Sequence, residues 1–547
     1  MQFLSTLGGI AIFIIIIGLI IAVHEFGHFF FARRAGILAR EFALGMGPIL
    51  WKKKKGETLY TIRAIPIGGF CAIAGEEMED DPFKSQPRVK LDVRDGVIHN
   101  FYLDVDNEGL DFPVYDIMEY DLYDEAGTGN LYMEVIKDGN RYHFKVKEDA
   151  FVYLPKMEYQ IAPYNRTLGS KSKRARALVM FGGPLMNFIL AIIVFLFAGL
   201  IQGFPVMESS EVIITENVVA YDAGLRTGDV ITKLETEDGN ISQDVSVWND
   251  ISIFMSEYKT TGNRSPIIVN YLRNDQEFET KISPWVALNN LAIETAIHSE
   301  GLKVIRYVKA NDGMVNNEAM SDFFNPEKGD LIITKFIYND NEVDAKNLVE
   351  VYSLFESYKG DSRNAADNEI TLHLSTFEGE KVVKVTPYSK KIMDYQTKQN
   401  GIEIVKVAMH ISPRSKFNIG KSFVFSITES VKSGTAVFST LGMLFSGDIS
   451  IRALSGFVGI ASATVKVARQ GLVNILYWTG LLSVNIGLLN LLPIPALDGG
   501  RLVFLGYEAI TKKKPSQKVE TWLITATMLL LFGLMIFVTI NDFLKFF

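Results

Sequence analysis

Four long apolar runs divide the chain, and the polar stretches between them carry charge unevenly. The runs cover residues 3–32, 177–204, 471–496 and 521–540. Each is close to the ~20 apolar residues that cross a bilayer as a helix, so the pattern predicts four transmembrane helices. Basic residues then mark one side of them. Arg33, Arg34, Arg40 and Lys52, Lys53, Lys54 and Lys55 follow the first run. Lys171, Lys173, Arg174 and Arg176 precede the second, and Arg501 with Lys512, Lys513 and Lys514 separates the third from the fourth. An even number of crossings puts all these clusters on one face, the cytosolic one by the positive-inside rule. Both termini and the long segment 205–470 are then expected outside the cytosol. Residues 1–7 lack a basic n-region and the first run outlasts a signal-peptide core, so a retained helix is expected there.

Between the runs the periodicity changes. Alternation in Tyr60-Thr61-Ile62-Arg63-Ala64-Ile65, followed by Gly68-Gly69, predicts a β-hairpin loop. In the cytosolic insertion, Asp138-Gly139-Asn140 between residues 131–136 and 142–146 predicts another hairpin, in a small β-rich domain. The extracytoplasmic segment repeats itself. Gly228-Asp229-Val230-Ile231 leads to Ser256-Glu257-Tyr258-Lys259 and a β-like run at 267–272. Gly329-Asp330-Leu331-Ile332 leads to Glu356-Ser357-Tyr358-Lys359 and another at 370–374. Further on, Ile427, Val431, Phe438, Leu441 and Phe445 recur at helical spacing, but the uncharged part is too short to span a membrane. An interfacial helix and ordinary packing both fit it.

Composition agrees with this separation of apolar and charged segments: 48% hydrophobic and 22% charged residues coexist over 547 positions. The net charge of −8 excludes a nucleic-acid partner as the expected function. The single cysteine, Cys71, excludes an intrachain disulfide framework and reads as a small core residue.

The first apolar run contains its own chemistry. His24-Glu25-Phe26-Gly27-His28 reads H-E-x-x-H. On a helix, His24 and His28 share a face one turn apart, where two imidazoles can hold one Zn²⁺ with Glu25 beside the water it activates. Ionisable residues in hydrocarbon cost roughly 2.5–3.5 kcal/mol each on insertion scales, so they mark function rather than packing. By helix rise, His28 lies about 7–8 Å from the cytosolic edge at Arg33. Asp498, three residues before Arg501, reaches the same level at the end of the third run. It is a candidate third ligand, leaving the fourth position for water. Pro493 and Pro495 interrupt that helix just before it, a break tolerated at such depth only against protein or a water-filled cavity.

With these residues in order, the sequence resembles the site-2 protease family of intramembrane zinc metalloproteases, most of all its bacterial members. H-E-F-G-H stands at 24–28, and Gly45-Met46-Gly47-Pro48 with the stretch 62–70 is similar to the family's membrane-associated β-loop. Gly182-Gly183-Pro184-Leu185-Met186-Asn187 opens the second run in the family manner, and Gln160-Ile161-Ala162-Pro163-Tyr164-Asn165-Arg166 resembles Gram-positive members. Asn490 through Gly500 carries the second metal motif, N-x-x-P-x-P-x-L-D-G. Ser455-Gly456-Phe457 departs from a further motif only in having Phe457 where proline is usual.

The resemblance implies His24, His28 and Asp498 as zinc ligands and Glu25 as general base. Asn490, Pro493, Pro495, Ile62 and Ile65 are candidate substrate-binding residues, the last two by β-strand addition to an unwound substrate. The first copy of the repeat looks like a PDZ domain and the second like a divergent one; a PDZ groove takes an extended peptide tail. The implied function is intramembrane cleavage of single-pass membrane proteins within the lipid bilayer, in regulated intramembrane proteolysis, with anti-sigma factors and remnant signal peptides as substrate classes. A catalytically dead PDZ scaffold is the alternative, but it has no need for buried ionisable residues.

The expected architecture is a polytopic α-helical membrane protein with a membrane-associated β-hairpin loop and extracytoplasmic PDZ-like α+β domains. Its segments are the first helix (1–34), the β-loop (35–80), the cytosolic insertion (81–170) and the second helix (171–204). Two PDZ-like domains (205–289 and 290–400) and a helical connector (401–470) follow. The third helix (471–500), a cytosolic loop (501–520) and the fourth helix (521–547) complete it.

Overall fold

The computed structural model describes all residues except 1, 76–82, 84–85, 107–108, 125–127, 129, 155–156, 217, 310–314, 363–364, 450–453 and 547. The expected boundary between the β-loop and the insertion, at 80/81, lies outside the described residues. The helices are α1 (Gln2–Arg34), α2 (Lys173–Gln202), α3 (Val219–Asp222), α4 (Trp248–Thr261), α5 (Leu348–Ser357), α6 (Lys390–Asn400), α7 (Ile419–Ser446), α8 (Phe457–Ala468), α9 (Leu472–Asn490), α10 (Asp498–Thr511) and α11 (Gln517–Phe546). Among them Gly8–Arg34, Lys173–Gln202, Leu472–Asn490 and Lys518–Leu544 are long and apolar enough to cross a membrane. The chain divides into two units, one of residues 1–195 and 457–537, the other of residues 196–456 and 538–547.

In the first unit, α1 and α2 cross where both are glycine. A Cβ on Gly27 would lie 2.1 Å from the Gly182 carbonyl oxygen, and one on Gly182 would lie 2.7 Å from the Gly27 oxygen. Lipid gives apolar helices no hydrophobic reason to associate, so close backbone approach at small residues supplies the attraction. At the N-terminal end of α2, Arg176 pairs with Glu508 of α10 at 2.8 Å, and Lys173 donates to the Glu508 carbonyl. A cation placed on the last turn of a helix also suits its dipole.

The loop after α1 forms two long strands, β1 (Ala39–Lys55) and β2 (Thr58–Ile73), that pair antiparallel. Their register is double. Glu41 lies opposite both Leu59 and Ala72, and Leu44 opposite both Ile62 and Gly69. The start of β1 is therefore flanked on both sides by β2, and Lys52 to Lys55 pair again with Thr61 to Thr58. The hairpin expected from sequence is thus a small folded sheet, and Gly69 to Ile73 form one of its edges. Glu41 accepts from Arg63 and Thr61, both at 2.6 Å, across the strands.

The insertion between the β-loop and α2 is a six-stranded sheet of β3 (Arg88–Arg94), β4 (Val97–Tyr102), β5 (Val114–Asp121), β6 (Tyr132–Lys137), β7 (Asn140–Leu154) and β8 (Met157–Gln160). The expected hairpin is β6–β7, turning at Asp138 and Gly139 with φ of 52° and 80°. Two successive positive φ values are what a two-residue hairpin turn requires. Because β4 also pairs parallel with β7, strands β3 to β7 close into a ring around Phe101, Met133, Val135 and Val152.

In the second unit the sequence repeat becomes a repeated order of elements. Strand Val230–Thr236, strand Ser242–Asp244, α4, and the hairpin Ile267–Arg273 with Gln276–Ile282 form the first copy. Ile332–Tyr338, Asn341–Asp344, α5, and Ile370–Thr376 with Gly379–Val385 form the second. The second sheet also includes Trp285–Leu288 and Val405–Ala408, which lie outside 290–400. Phe254 and Tyr258 of α4 share one continuous buried cluster with Phe336 and Phe355 of the second copy.

Helix α7 is turned inside out. Ser422, Ser426, Glu429 and Ser433 are buried, while Phe423, Val424, Val431, Phe438 and Phe445 are exposed. Its small polar face meets α2 at Gly199, where a Cβ would lie 3.4 Å from Ser422.

Candidate metal centre

Helix α1 carries His24 and His28 on one face, and both rings point to the start of α10. His24 Nε2 and His28 Nε2 are 3.3 Å apart. Asp498 Oδ2 lies 3.2 Å from the first and 3.4 Å from the second. Asp498 reaches this point because the chain leaves helical geometry after Asn490 and re-enters it at Asp498. Pro493 and Pro495 stand in that break; neither has an N–H to continue α9. Asp498 then occupies the first turn of α10, where a carboxylate is favoured by the helix dipole.

Three donor atoms at 3.2–3.4 Å from one another are too close for three solvated groups and suit a shared cation. A tetrahedral centre with bonds of about 2.0–2.1 Å has edges of roughly 3.3–3.4 Å. The donor set, two imidazoles and a carboxylate, is one zinc accepts at catalytic sites. Asp498 Oδ2 is buried yet has no hydrogen-bond partner, as expected for an oxygen that faces a metal. The residues present therefore fit Zn²⁺.

Helix α2 forms the back of the site. His28 Nδ1 is 2.8 Å from the Val179 carbonyl oxygen. A carbonyl only accepts, so Nδ1 carries the proton and the Nε2 lone pair faces the cluster. His24 Nδ1 is 3.2 Å from the Asn187 side-chain amide. A Cβ on Gly183 would stand 2.3 Å from His28 Nε2 and 2.7 Å from His24 Nε2. No other residue type leaves room for the rings.

A cavity of about 410 Å³ opens on the cluster, lined by His24, Glu25, His28, Asn490, Asp498 and Arg501, with Gly68 to Ala72 along one wall. Glu25 accepts a backbone hydrogen bond from Cys71 in that wall. Of the other residues singled out in the sequence, Asn490 lines the cavity and Pro493 and Pro495 form the helix break beside it. Ile62 and Ile65 do not line it. They are 45% and 49% exposed, and their strand segment pairs within the sheet. Gly183, Asn187, Val179 and Arg501 were not anticipated. The run Gly182 to Asn187 is legible as a motif, but its contact with the rings depends on how α2 packs on α1.

The profile of peptidase family M50 matches residues 12–534. The zinc metalloprotease RasP of Oceanobacillus iheyensis is 30% identical over 531 residues, 97% of each chain. The proteins of the same name from Geobacillus kaustophilus and Shouchella clausii are 30% and 29% identical over 99% and 98% of each chain. With that profile spanning nearly the whole sequence, the chain belongs to peptidase family M50, the site-2 proteases, and is a membrane zinc metalloprotease.

Proposed function

We propose that this protein is an intramembrane endopeptidase whose zinc is held by His24, His28 and Asp498, and that it cuts transmembrane segments of single-pass membrane proteins. The observation that carries the reading is the triangle of donor atoms, with 3.2–3.4 Å edges, on a helix apolar enough to span a bilayer. Zinc supplies an acidified water and a polarised scissile carbonyl. Glu25, adjacent to His24 and on the cavity wall, takes the proton from the attacking water and passes it to the leaving amine.

The substrate must present an extended backbone, because a helix hides its amides. The edge from Gly69 to Ile73 suits this role, since its β1-facing side is paired and the stretch 68–72 lines the cavity. We assign strand addition to this edge rather than to Ile62 and Ile65. Asn490 is placed to bond the substrate backbone. The basic clusters support a cytosolic side for the β-loop, the closed β3–β7 sheet and the α2–α10 ion pair, with the repeat outside. The repeated strand–helix–hairpin order supports two PDZ-like domains able to take a peptide tail. The exposed apolar face of α7 fits contact with lipid. Regulated intramembrane proteolysis, with anti-sigma factors or remnant signal peptides as substrates, is the role these features suit.

The test is cleavage of a reporter carrying one transmembrane segment, by wild type and Glu25→Gln, with zinc content measured on both. Product from wild type alone, with about one zinc in each, is expected. Equal product from both proteins would refute the assignment.

A further inference from the structure

Asn187 is a buried polar side chain in contact with the centre that the proposed reaction does not use. We propose that Asn187 is a positioning residue for the metal: its side-chain oxygen accepts the Nδ1–H of His24 and so holds that ring with its Nε2 lone pair toward the zinc. The proposal rests on His24 being a zinc ligand.

Asn187 is completely buried, in the middle of α2, one turn beyond Gly183. A buried amide in a membrane helix is costly unless its atoms are bonded, and one of them is not. The nitrogen Nδ2 lies 3.2 Å from His24 Nδ1, whereas Oδ1 has no partner. If Nδ2 donates to Nδ1, the imidazole must carry its proton on Nε2. That proton would point at His28 Nε2 and Asp498 Oδ2, 3.3 and 3.2 Å away, and a protonated nitrogen cannot bind a metal. Turning the amide by 180° resolves both problems. The orphaned oxygen gains a donor, Nδ1 carries the proton, and Nε2 is freed.

His28 shows the same arrangement already made. Its Nδ1 bonds a group that can only accept, the Val179 carbonyl, 2.8 Å away on the same helix. Helix α2 therefore serves both ligands, one through its backbone and one through a side chain. Ser483 Oγ on α9 donates to the backbone carbonyl of Asn187 at 2.8 Å, which ties the helix at that level. A second acceptor behind a metal-bound histidine fixes its tautomer and orientation.

The test measures zinc affinity, by chelator competition on the full-length protein in detergent, for wild type, Asn187→Leu, Asn187→Ala and Asn187→Asp. Leucine and alanine remove the acceptor and are expected to weaken zinc binding by about 10–100-fold. Aspartate, which keeps an acceptor and has no donor, is expected to stay within about threefold of wild type on the same scale. A merely structural asparagine, or one that donates to His24, predicts instead that aspartate fails as leucine does. That result overturns the proposal, as does wild-type affinity in the leucine or alanine variant. If leucine prevents folding, alanine against aspartate decides. A wild-type protein that holds no zinc would overturn the ligand assignment itself. Wild-type zinc with unchanged variants would overturn only the role of Asn187.

Discussion

Gly183 faces His28 so closely that a methyl group on it would sit 2.3 Å from the ring nitrogen Nε2. The backbone of α2 is thus the floor on which the two imidazoles rest. Gly183→Ala is expected to displace both rings and to lower zinc content well below one per chain, with helical content unchanged. Metal analysis and circular dichroism on the same sample check it. Full zinc occupancy in the alanine variant would show that α2 does not approach the rings this closely.

The edge of the β-loop makes a second prediction. Cys71 is the chain's only cysteine, so Cys71→Ala gives a clean background for crosslinking. A cysteine at Ala72 is expected to form a disulfide with cysteines placed near the cut site of a reporter. Cysteines at Ile62 or Ile65, which do not line the cavity, are expected to give little. The reverse pattern would return the binding edge to the other segment of β2.

The pair of Arg176 with Glu508 is largely shielded, its side chains 16% and 12% exposed. Removing one partner strands the other, at a cost of about 3–5 kcal/mol for a buried pair. Arg176→Ala and Glu508→Ala are each expected to lower the Tm in detergent, while replacing both with apolar residues recovers most of the loss. Thermal unfolding of the three variants reads this. Additive losses would mean the two side chains do not interact.

His410 gives a pH dependence of known sign. Its ring stacks on Trp285, with centroids 4.2 Å apart and planes at 5°. Burial, reinforced by the positive charges of Lys406 and Arg306, pulls its pKa from 6.5 down to about 4. The folded state then disfavours the protonated ring. Its contribution is fully present above pH 6.5 and is lost as pH falls toward 4. His410→Phe is expected to flatten the acid side of the stability profile between those limits. An unchanged acid slope would remove His410 from the account.

The outward face of α7 is testable by spin labels at Val431 and Phe438, 62% and 57% exposed, in reconstituted vesicles. Oxygen accessibility above that of a water-soluble relaxant is expected at both. The opposite ranking would place this face in water.

What could be read from the sequence was local or strongly patterned. H-E-x-x-H and the approach to Asp498 were legible because helix spacing and a proline break fix them within a few residues. The β6–β7 hairpin was legible from Asp138-Gly139. The parallel pairing of β4 with β7 was not, because nothing in either strand marks its distant neighbour. The periodicity of α7 showed two faces but not which one is covered. That depends on Ser422 packing against Gly199 of α2, a neighbour more than 200 residues away. Gly183 and Asn187 act across more than 150 positions of sequence, so their contacts with His28 and His24 appear only once α1 and α2 have crossed at Gly27 and Gly182.

The two copies of the repeat between α2 and α7 have a common interior, with Phe254 and Tyr258 in the same cluster as Phe336 and Phe355. A duplication that has fused its interiors can no longer shed either half. Deleting one copy would bare aromatic rings of the other to water, so the two copies are expected to unfold together.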